Sequence, residues 1–385
     1  MLSKALVVGA YQKKAEELAA LPGVELTVAA PHSWNEPGAV EQRLERRFTR
    51  SYQLVDLRIW FNGRHHIHFY PAIDRLVATI RPDVFHIDEE SFNLATFLAM
   101  RAGVRYGARC CFYNWANIDR RYPAPFSWFE RYNFRHAAHA IAGAREAAEI
   151  LRCHGYAGPI TVLPQFGVDP EIFAPTTDHR SLTTDRPSAA NGRRSSVVGR
   201  PFVVGYLGRL VPQKGLLDLI EALPLLPEHV RVRLIGDGVQ KSQLLARAAA
   251  LGVRARVELV EWTSDVPGEL RRLDALALPS RTTSSWKEQF GRVLPEAMSC
   301  GVPVVGSSSG EIPNVIGDAG VIFPEGDVRA LAAAIRRLSH DPALRAELGR
   351  RGRARVLERY TQAALARQYY QVYRAMIGES AGPLT

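Results

Sequence analysis

The chain is 385 residues long, 46% hydrophobic and 23% charged, with a formal charge of +10 at pH 7. That length predicts two domains, the composition is that of a soluble globular protein, and no run nears the roughly 18 apolar residues of a membrane span. Four cysteines, two of them adjacent (Cys110, Cys111), match neither a metal motif nor a disulfide framework. The opening "MLSKALVVGAYQKK" has too short an apolar run for a signal peptide, so a reduced, cytoplasmic protein is the expectation. The positive charge suits phosphate ligands, nucleic acid or an acidic membrane surface.

In chain order, the first half offers strand-like runs at "KALVVGA", "VELTVAAP", "PDVFHID", "ARCCFYN", "HAIAGA" and "PITVLPQ". Between the second and third, Arg43, Arg46, Arg47 and Arg50 share one face of a predicted helix, with Val40, Leu44 and Phe48 on another row. Such a helix can lie on an anionic membrane, or its basic face can simply be solvated. The second half repeats the pattern at "PFVVGYLGRL", "VRVRLIGDG", "RVELVEW", "ALALPS", "GVPVVGS" and "AGVIFP". Apolar strands alternating with helices predict two doubly wound α/β domains with parallel sheets, and a ligand in the cleft between them. The expected division is 1–173, a polar flexible segment 174–200 and a second domain 201–360. The C-terminal helix, 361–378, carries apolar residues at 365, 369, 370 and 373 and so should pack onto something; "ESAGPLT" after it reads as frayed.

"SSWKEQFGRVLPEAMSCG" (284–301) reads as the start of a helix, yet holds Pro295. If the helix begins near Gly291, Pro295 falls in or just after the first turn, where a missing N–H costs little. The unpaired N–H groups of Gly291 to Leu294 would then form an anion site. Glu288 precedes the helix and Glu296 lies about one turn inside, a carboxylate pair suited to a ligand both phosphorylated and rich in hydroxyls. The plainer alternative is a capping carboxylate followed by a surface glutamate.

"GRLVPQKG" supplies Gly208, Arg209, Lys214 and Gly215 after a strand, a pattern for a diphosphate unless both cations are merely solvated. It is not a Walker loop. Gly236 and Gly238 in "LIGDG", and Gly310 in "SSSGEIP", close further strands and alone are ordinary turn chemistry. In the first half "FHIDEES" gathers His86, Asp88, Glu89 and Glu90 at a strand end, as a ligand contact, a solvated loop or, less readily, a metal site. Trp34 suits a sugar face or the core; His65, His66 and His68 lack the partner spacing for zinc.

Taken together and in order, "GVDPEIF", "GRLVPQKG", "IGDG", "LPSR", "FGRVLPEAMSCGVPVVGS" and "GEIPNVI" make residues 155–375 resemble the retaining nucleotide-sugar glycosyltransferases of family four, with the GT-B fold. In the first half only strand order and "RPDVFHID" agree. The resemblance implies two Rossmann-like domains facing across a cleft, with the C-terminal helix, 361–378, packing back on the first. It implies transfer of a hexose from a nucleoside-diphosphate sugar to a hydroxyl of a glycan, glycolipid or small metabolite, with retention and without a bound metal. By the same resemblance Arg209 and Lys214 hold the leaving diphosphate, Glu288 meets the transferred sugar, and Glu296 the ribose. Phe290, Gly291 and Arg292 offer backbone N–H groups, while Gly208, Gly236, Gly238 and Trp262 complete the donor side. Gly9, Asp88, Glu89, Asn114 and Asn117 stand on the acceptor side.

Departures from the family pattern are local. Only Gly9 remains of a glycine-rich first loop, Ala116 stands where relatives place a histidine, and Glu311 and Asn314 replace a common glycine and glutamate. They keep open a non-catalytic nucleotide-sugar binding protein or a sugar-nucleotide epimerase of the same fold. An oxidoreductase is disfavoured because no G-x-G-x-x-G follows either first strand. Nucleic-acid binding would require aromatics interleaved with a basic stripe. The arginine helix leaves a peripheral contact with the inner face of a membrane as the remaining expectation.

Overall fold

The computed structural model describes residues 1–35, 40–175 and 200–379. The polar segment read at 174–200 therefore lies almost wholly outside the described residues, as does the tail beyond 379. The chain divides into two compact units: Met1–Gly167 together with the residues from Arg359 onward, and Val168–Glu358.

The first unit contains β1 (Thr27–Pro31), β2 (Ser33–Trp34), β3 (Gln42–Arg43), β4 (Gln53–Leu57), β5 (Val84–Ile87), β6 (Arg109–Asn114), β7 (His139–Ala142) and β8 (Ile160–Val162). Its helices are α1 (Lys13–Ala19), α2 (Ile73–Ile80), α3 (Leu94–Arg105), α4 (Phe126–His136) and α5 (Arg145–Cys153). β5 to β8 pair in order and parallel, β1 pairs parallel with β4, and Leu2 bridges the two sets through Ala29 and Ile87. Phe112, Ile141 and Ile87 are fully buried, as strands covered on both faces require.

Two first-half expectations fail. "KALVVGA" is not a strand: beyond Leu2 the chain folds into two short 3-10 turns, Ala5–Val7 and Gly9–Gln12. Asp88 N–H donates to Leu2 O, and from there the backbone closes local bonds, Val7 N–H to Lys4 O and Val8 N–H to Ala5 O. Turning there buries Leu6 and Val7, which an extended chain leaving the sheet edge would not. The arginine-bearing helix is also absent. Gln42–Arg43 pairs antiparallel with Ser33–Trp34, and later N–H groups go to distant acceptors: Glu45 to Val7 O, Arg47 to Gln12 Oε1, Arg50 to Glu16 Oε2. Those long-range bonds replace a helical ladder, so Arg43, Arg46, Arg47 and Arg50 share no helix face.

The second unit holds β9 (Phe202–Leu207), β10 (Val230–Ile235), β11 (Val257–Val260), β12 (Ala275–Leu278), β13 (Val304–Ser307) and β14 (Val321–Phe323). Interleaved are α6 (Leu216–Ala222), α7 (Lys241–Ala250), α8 (Val266–Arg271), α9 (Val293–Ser299), α10 (Ile312–Ile316), α11 (Val328–His340) and α12 (Pro342–Arg359). All six strands are parallel in the order β11-β10-β9-β12-β13-β14. The chain thus leaves β9 in one direction and returns beside it as β12, which makes the β9/β12 edge the topological switch point. The strap expected to close the first domain at 173 belongs instead to the second from Val168. Arg271 donates to Ile172 O and Ala174 O, and Ser299 Oγ to Phe173 O at 2.6 Å.

α13 (Gln362–Met376) opens with Thr361 Oγ1 accepting from Ala364 N–H, an N-cap, and belongs to the first unit. Leu365 and Tyr369 enter a core with Ile141, Tyr113 and Leu163, and Tyr370 meets Leu18 of α1. Leu365→Ala is expected to cost about 2–5 kcal/mol as an unrelaxed cavity, read from urea denaturation; a loss near zero would show that the helix does not anchor this unit.

Candidate active site

Every residue that the sequence assigned to a nucleotide-sugar donor lies in the second unit, on the segments that follow the carboxyl ends of its strands, with Glu296 in the first turn of α9. At the end of β9, Gly208 N–H donates to Ile235 O and Leu210 N–H to Asp237 O, so the loops after β9 and β10 run together. Gly236 has to be glycine: a Cβ there would stand 2.1 Å from Gly208 O. Tyr206 Oη donates to Arg209 O at 2.9 Å, fixing the backbone of that residue. The Arg209 guanidinium is exposed, and no hydrogen bond or ion pair joins it to another described residue.

Lys214 and Glu288 do not stand apart as separate binding groups. Nζ and Oε2 form an ion pair at 2.5 Å, with side chains 16% and 8% exposed, and Ser280 Oγ donates to the same carboxylate oxygen at 2.7 Å. Lys214 also sits 4.8 Å from the centre of the Trp286 ring. "LPSR" now has a physical reading. Ser280 holds Glu288, Ser307 Oγ donates to Ser280 O at 2.6 Å, and Arg281 forks onto Asp218 with one arm at 2.8 Å. Behind Glu288, Gly310 passes so close that a Cβ would meet Glu288 O at 2.1 Å, while Glu311 N–H donates to that oxygen at 3.0 Å.

α9 begins at Val293, two residues later than expected, and Pro295 occupies its first turn. Leu294 N–H is taken by Gly291 O at 2.8 Å, so it is not among the free donors that the sequence predicted. Phe290 is buried. Glu296 lies one turn in, its side chain 13% exposed, with Arg292 3.4 Å away. Burial raises its carboxyl above the usual range, and Arg292 opposes the shift. Gly238 follows Gly236 on the β10 loop, and Trp262, two residues past β11, is 66% exposed.

In the first unit the expected acceptor-side residues are largely committed to internal partners. Gly9 sits in a 3-10 turn, its N–H donating to Glu45 Oε2. Asp88 is buried, receives Ser3 Oγ and Gln165 Nε2, and is raised by burial, which the nearby Lys14 opposes. Burial would raise Glu89 too, but Lys4 and His68 bring it down to about 2. Trp34 is core, edge-on to His65 and His68. Asn114, the last residue of β6, and Asn117 on the loop after it are both buried. Glu90, the third acid, differs. One oxygen accepts the Trp115 N–H at 3.0 Å, the other is buried without a hydrogen-bond partner among described residues, and burial pushes the carboxyl up to about 7. Sequence reasoning had no means to separate it from its two neighbours. Among the described residues no group of three His, Cys, Asp or Glu could hold a metal ion.

The family model for glycosyl transferases group 1 matches residues 190–355, and that for the glycosyl transferase 4-like domain matches 9–166. The chain belongs to this glycosyltransferase family. A GDP-mannose-dependent alpha-(1-6)-phosphatidylinositol monomannoside mannosyltransferase of Mycolicibacterium smegmatis is 34% identical over 214 residues, 53% of this chain and 54% of that one. The lipopolysaccharide core biosynthesis glycosyltransferase LpsE of Rhizobium meliloti is 34% identical over 44% of this chain and 49% of its own. The chain thus spans about half the length of the curated relatives it matches. Anabaena HepE in complex with UDP superposes with a TM-score of 0.71 at 18% identity, covering 97% of this chain and 98% of that one, a likeness of GT-B fold.

Two outcomes follow from this geometry. Lys214→Met leaves the Glu288 carboxylate short of its main partner and is expected to cost about 1–3 kcal/mol in urea denaturation. The double variant Lys214→Met/Glu288→Leu should lose less than the two single losses added, and additive losses would count against the pair. For Glu90 the folded carboxyl sits at about 7 against an ordinary 4.5. The native state therefore binds the proton more tightly, and stability falls as pH rises through that window. Glu90→Gln should flatten this fall relative to wild type; parallel stability–pH curves would refute it.

Proposed function

We propose that this glycosyltransferase moves a hexosyl group from a nucleoside-diphosphate sugar to an acceptor hydroxyl, with retention at the anomeric carbon. The observation that carries the reading is the carboxyl edge at the β9/β12 switch point. There Arg209, unpaired among the described residues, and the Lys214–Glu288 pair stand on loops interlocked through glycine backbones, with Glu296 in the first turn of the adjoining α9. In the reaction the bond between the anomeric carbon and the diphosphate oxygen breaks, and its electron pair leaves with the phosphate. A new bond forms from the acceptor oxygen to the same face of that carbon, and the acceptor's proton passes to the departing phosphate. No protein base or metal is written into this step.

Arg209 would meet the charge that develops on the diphosphate, and such a contact acts more strongly in the transition state than in the ground state. Lys214 contributes by dividing its hydrogen bonds between Glu288 and phosphate oxygen, and Glu288 in turn orients toward the sugar hydroxyls. Glu296 takes the ribose hydroxyls, Phe290, Gly291 and Arg292 lend backbone N–H groups, and Trp262 borders the donor. The first unit supplies the acceptor side. Relatives named for a phosphatidylinositol mannoside and for lipopolysaccharide core support a glycan or glycolipid acceptor. Four free thiols support the reducing, cytoplasmic setting.

The test is release of nucleoside diphosphate from a panel of UDP-, GDP-, ADP- and dTDP-sugars. Slow release from one donor is expected, and Arg209→Ala should lower it about 10²–10³-fold. Glu296→Ala should weaken donor binding and chemistry together. Tight donor binding with no release for any acceptor offered would instead identify a binding protein.

A further inference from the structure

Basic and aromatic residues that the site does not use gather on one face of the first unit. On α4, Trp128 is 61% exposed, and Arg131 and Arg135 are exposed three and seven positions on, a single helical stripe. Behind it Phe129 stacks on Phe97 of α3 at 4.6 Å, and the Arg101 guanidinium lies 5.6 Å over the Phe97 ring. Arg101 and Arg105 then line a cavity of about 210 Å³ whose other wall includes Phe69. Phe69 in turn carries Trp60 and Phe61, which are 52% and 55% exposed, at 5.7 and 6.2 Å between ring centres. The exposed stripe of α4 thus adjoins, through Phe129, Phe97 and Arg101, a cavity whose lining includes Phe69, against which Trp60 and Phe61 pack.

The nearby acids do little to cancel it. Asp74 is engaged by Arg105 at 3.2 Å and Asp119 by His154 at 2.9 Å. Nothing in the hydrogen bonding of the fold requires two half-exposed indoles, and exposing them to water is unfavourable. Their amphipathic rings suit a bilayer–water boundary, and interspersed guanidinium groups suit anionic headgroups. Among the described residues no helix is long and apolar enough to cross a membrane, so such a contact is peripheral.

We propose that the face built from α3, α4 and the 58–69 loop of the first unit docks on an anionic lipid bilayer. Trp60, Phe61 and Trp128 enter the headgroup layer, and Arg101, Arg131 and Arg135 meet lipid phosphates. This contact replaces the one expected from Arg43 to Arg50, which share no helix face. It stands apart from the donor reading, since none of its residues lies in the second unit.

The experiment is flotation of the full chain with phosphatidylglycerol-containing vesicles and with pure phosphatidylcholine vesicles, each at low and high salt. Binding to the anionic vesicles alone, weakened by salt, is expected. Arg131→Glu/Arg135→Glu and, separately, Trp128→Ser should each lower the bound fraction by about tenfold or more. The control Arg350→Glu/Arg351→Glu changes charge equally on α12, where both arginines pair with Glu347, and should keep most of the binding. Melting temperature and nucleoside-diphosphate binding, read on every variant, separate misfolding from lost docking and test the donor site independently. Equal loss in both charge pairs, binding indifferent to lipid charge, no flotation at all, or displacement by a short oligonucleotide would each overturn the proposal.

Discussion

A wholly parallel sheet delivers the carboxyl end of every strand to one edge, where the loops of all its strands must find partners without disturbing the ladder. In the second unit this constraint organises the rest. The β9 and β10 loops join through backbone bonds, and the β12 and β13 loops join through Ser280 and Ser307. The pair of Lys214 and Glu288 ties one group to the other. Because β9 and β12 are neighbours whose connections run in opposite directions, the tie crosses the switch point itself.

The electrostatics of that edge are uneven in a way that bears on chemistry. Lys214 is paired with Glu288, whereas no hydrogen bond or ion pair joins the Arg209 guanidinium to another described residue. Glu296 completes the asymmetry: its carboxyl is raised by burial, and a hydroxyl-rich ligand would supply the hydrogen bonds that its surroundings lack.

The first unit resolves a similar crowd of charge differently. Three consecutive acids leave β5, and tertiary contacts divide them. Asp88 turns to Ser3 and Gln165, Glu89 to Lys4 and His68, and Glu90 holds the Trp115 amide with one oxygen unpaired among described residues. Asp88 and Glu89 thus serve the packing of the sheet edge, and of the three only Glu90 keeps an oxygen unpaired among described residues, beside the end of β6 and the Trp115 amide.

The local sequence marked the strands β9 to β14, the apolar row of α13 and the glycine-bearing loops that leave the carboxyl edge of the second sheet. Those features rest on short-range signals: apolar runs bounded by glycine, a proline in a first turn, and motif spacing within a few residues. Tertiary structure alone decided the rest. It turned "KALVVGA" into 3-10 turns: Leu2 alone bridges β1 and β5, and the turns that follow bury Leu6 and Val7. It dissolved the arginine helix, because Val7, Gln12 and Glu16 from elsewhere in the chain accepted the N–H bonds that a helix would have used internally. It also joined Lys214 to Glu288 across 74 positions of sequence. A sequence displays hydrophobic period and local hydrogen-bonding preference, whereas long-range bonds and desolvation depend on which distant segment arrives, and only the folded chain settles that.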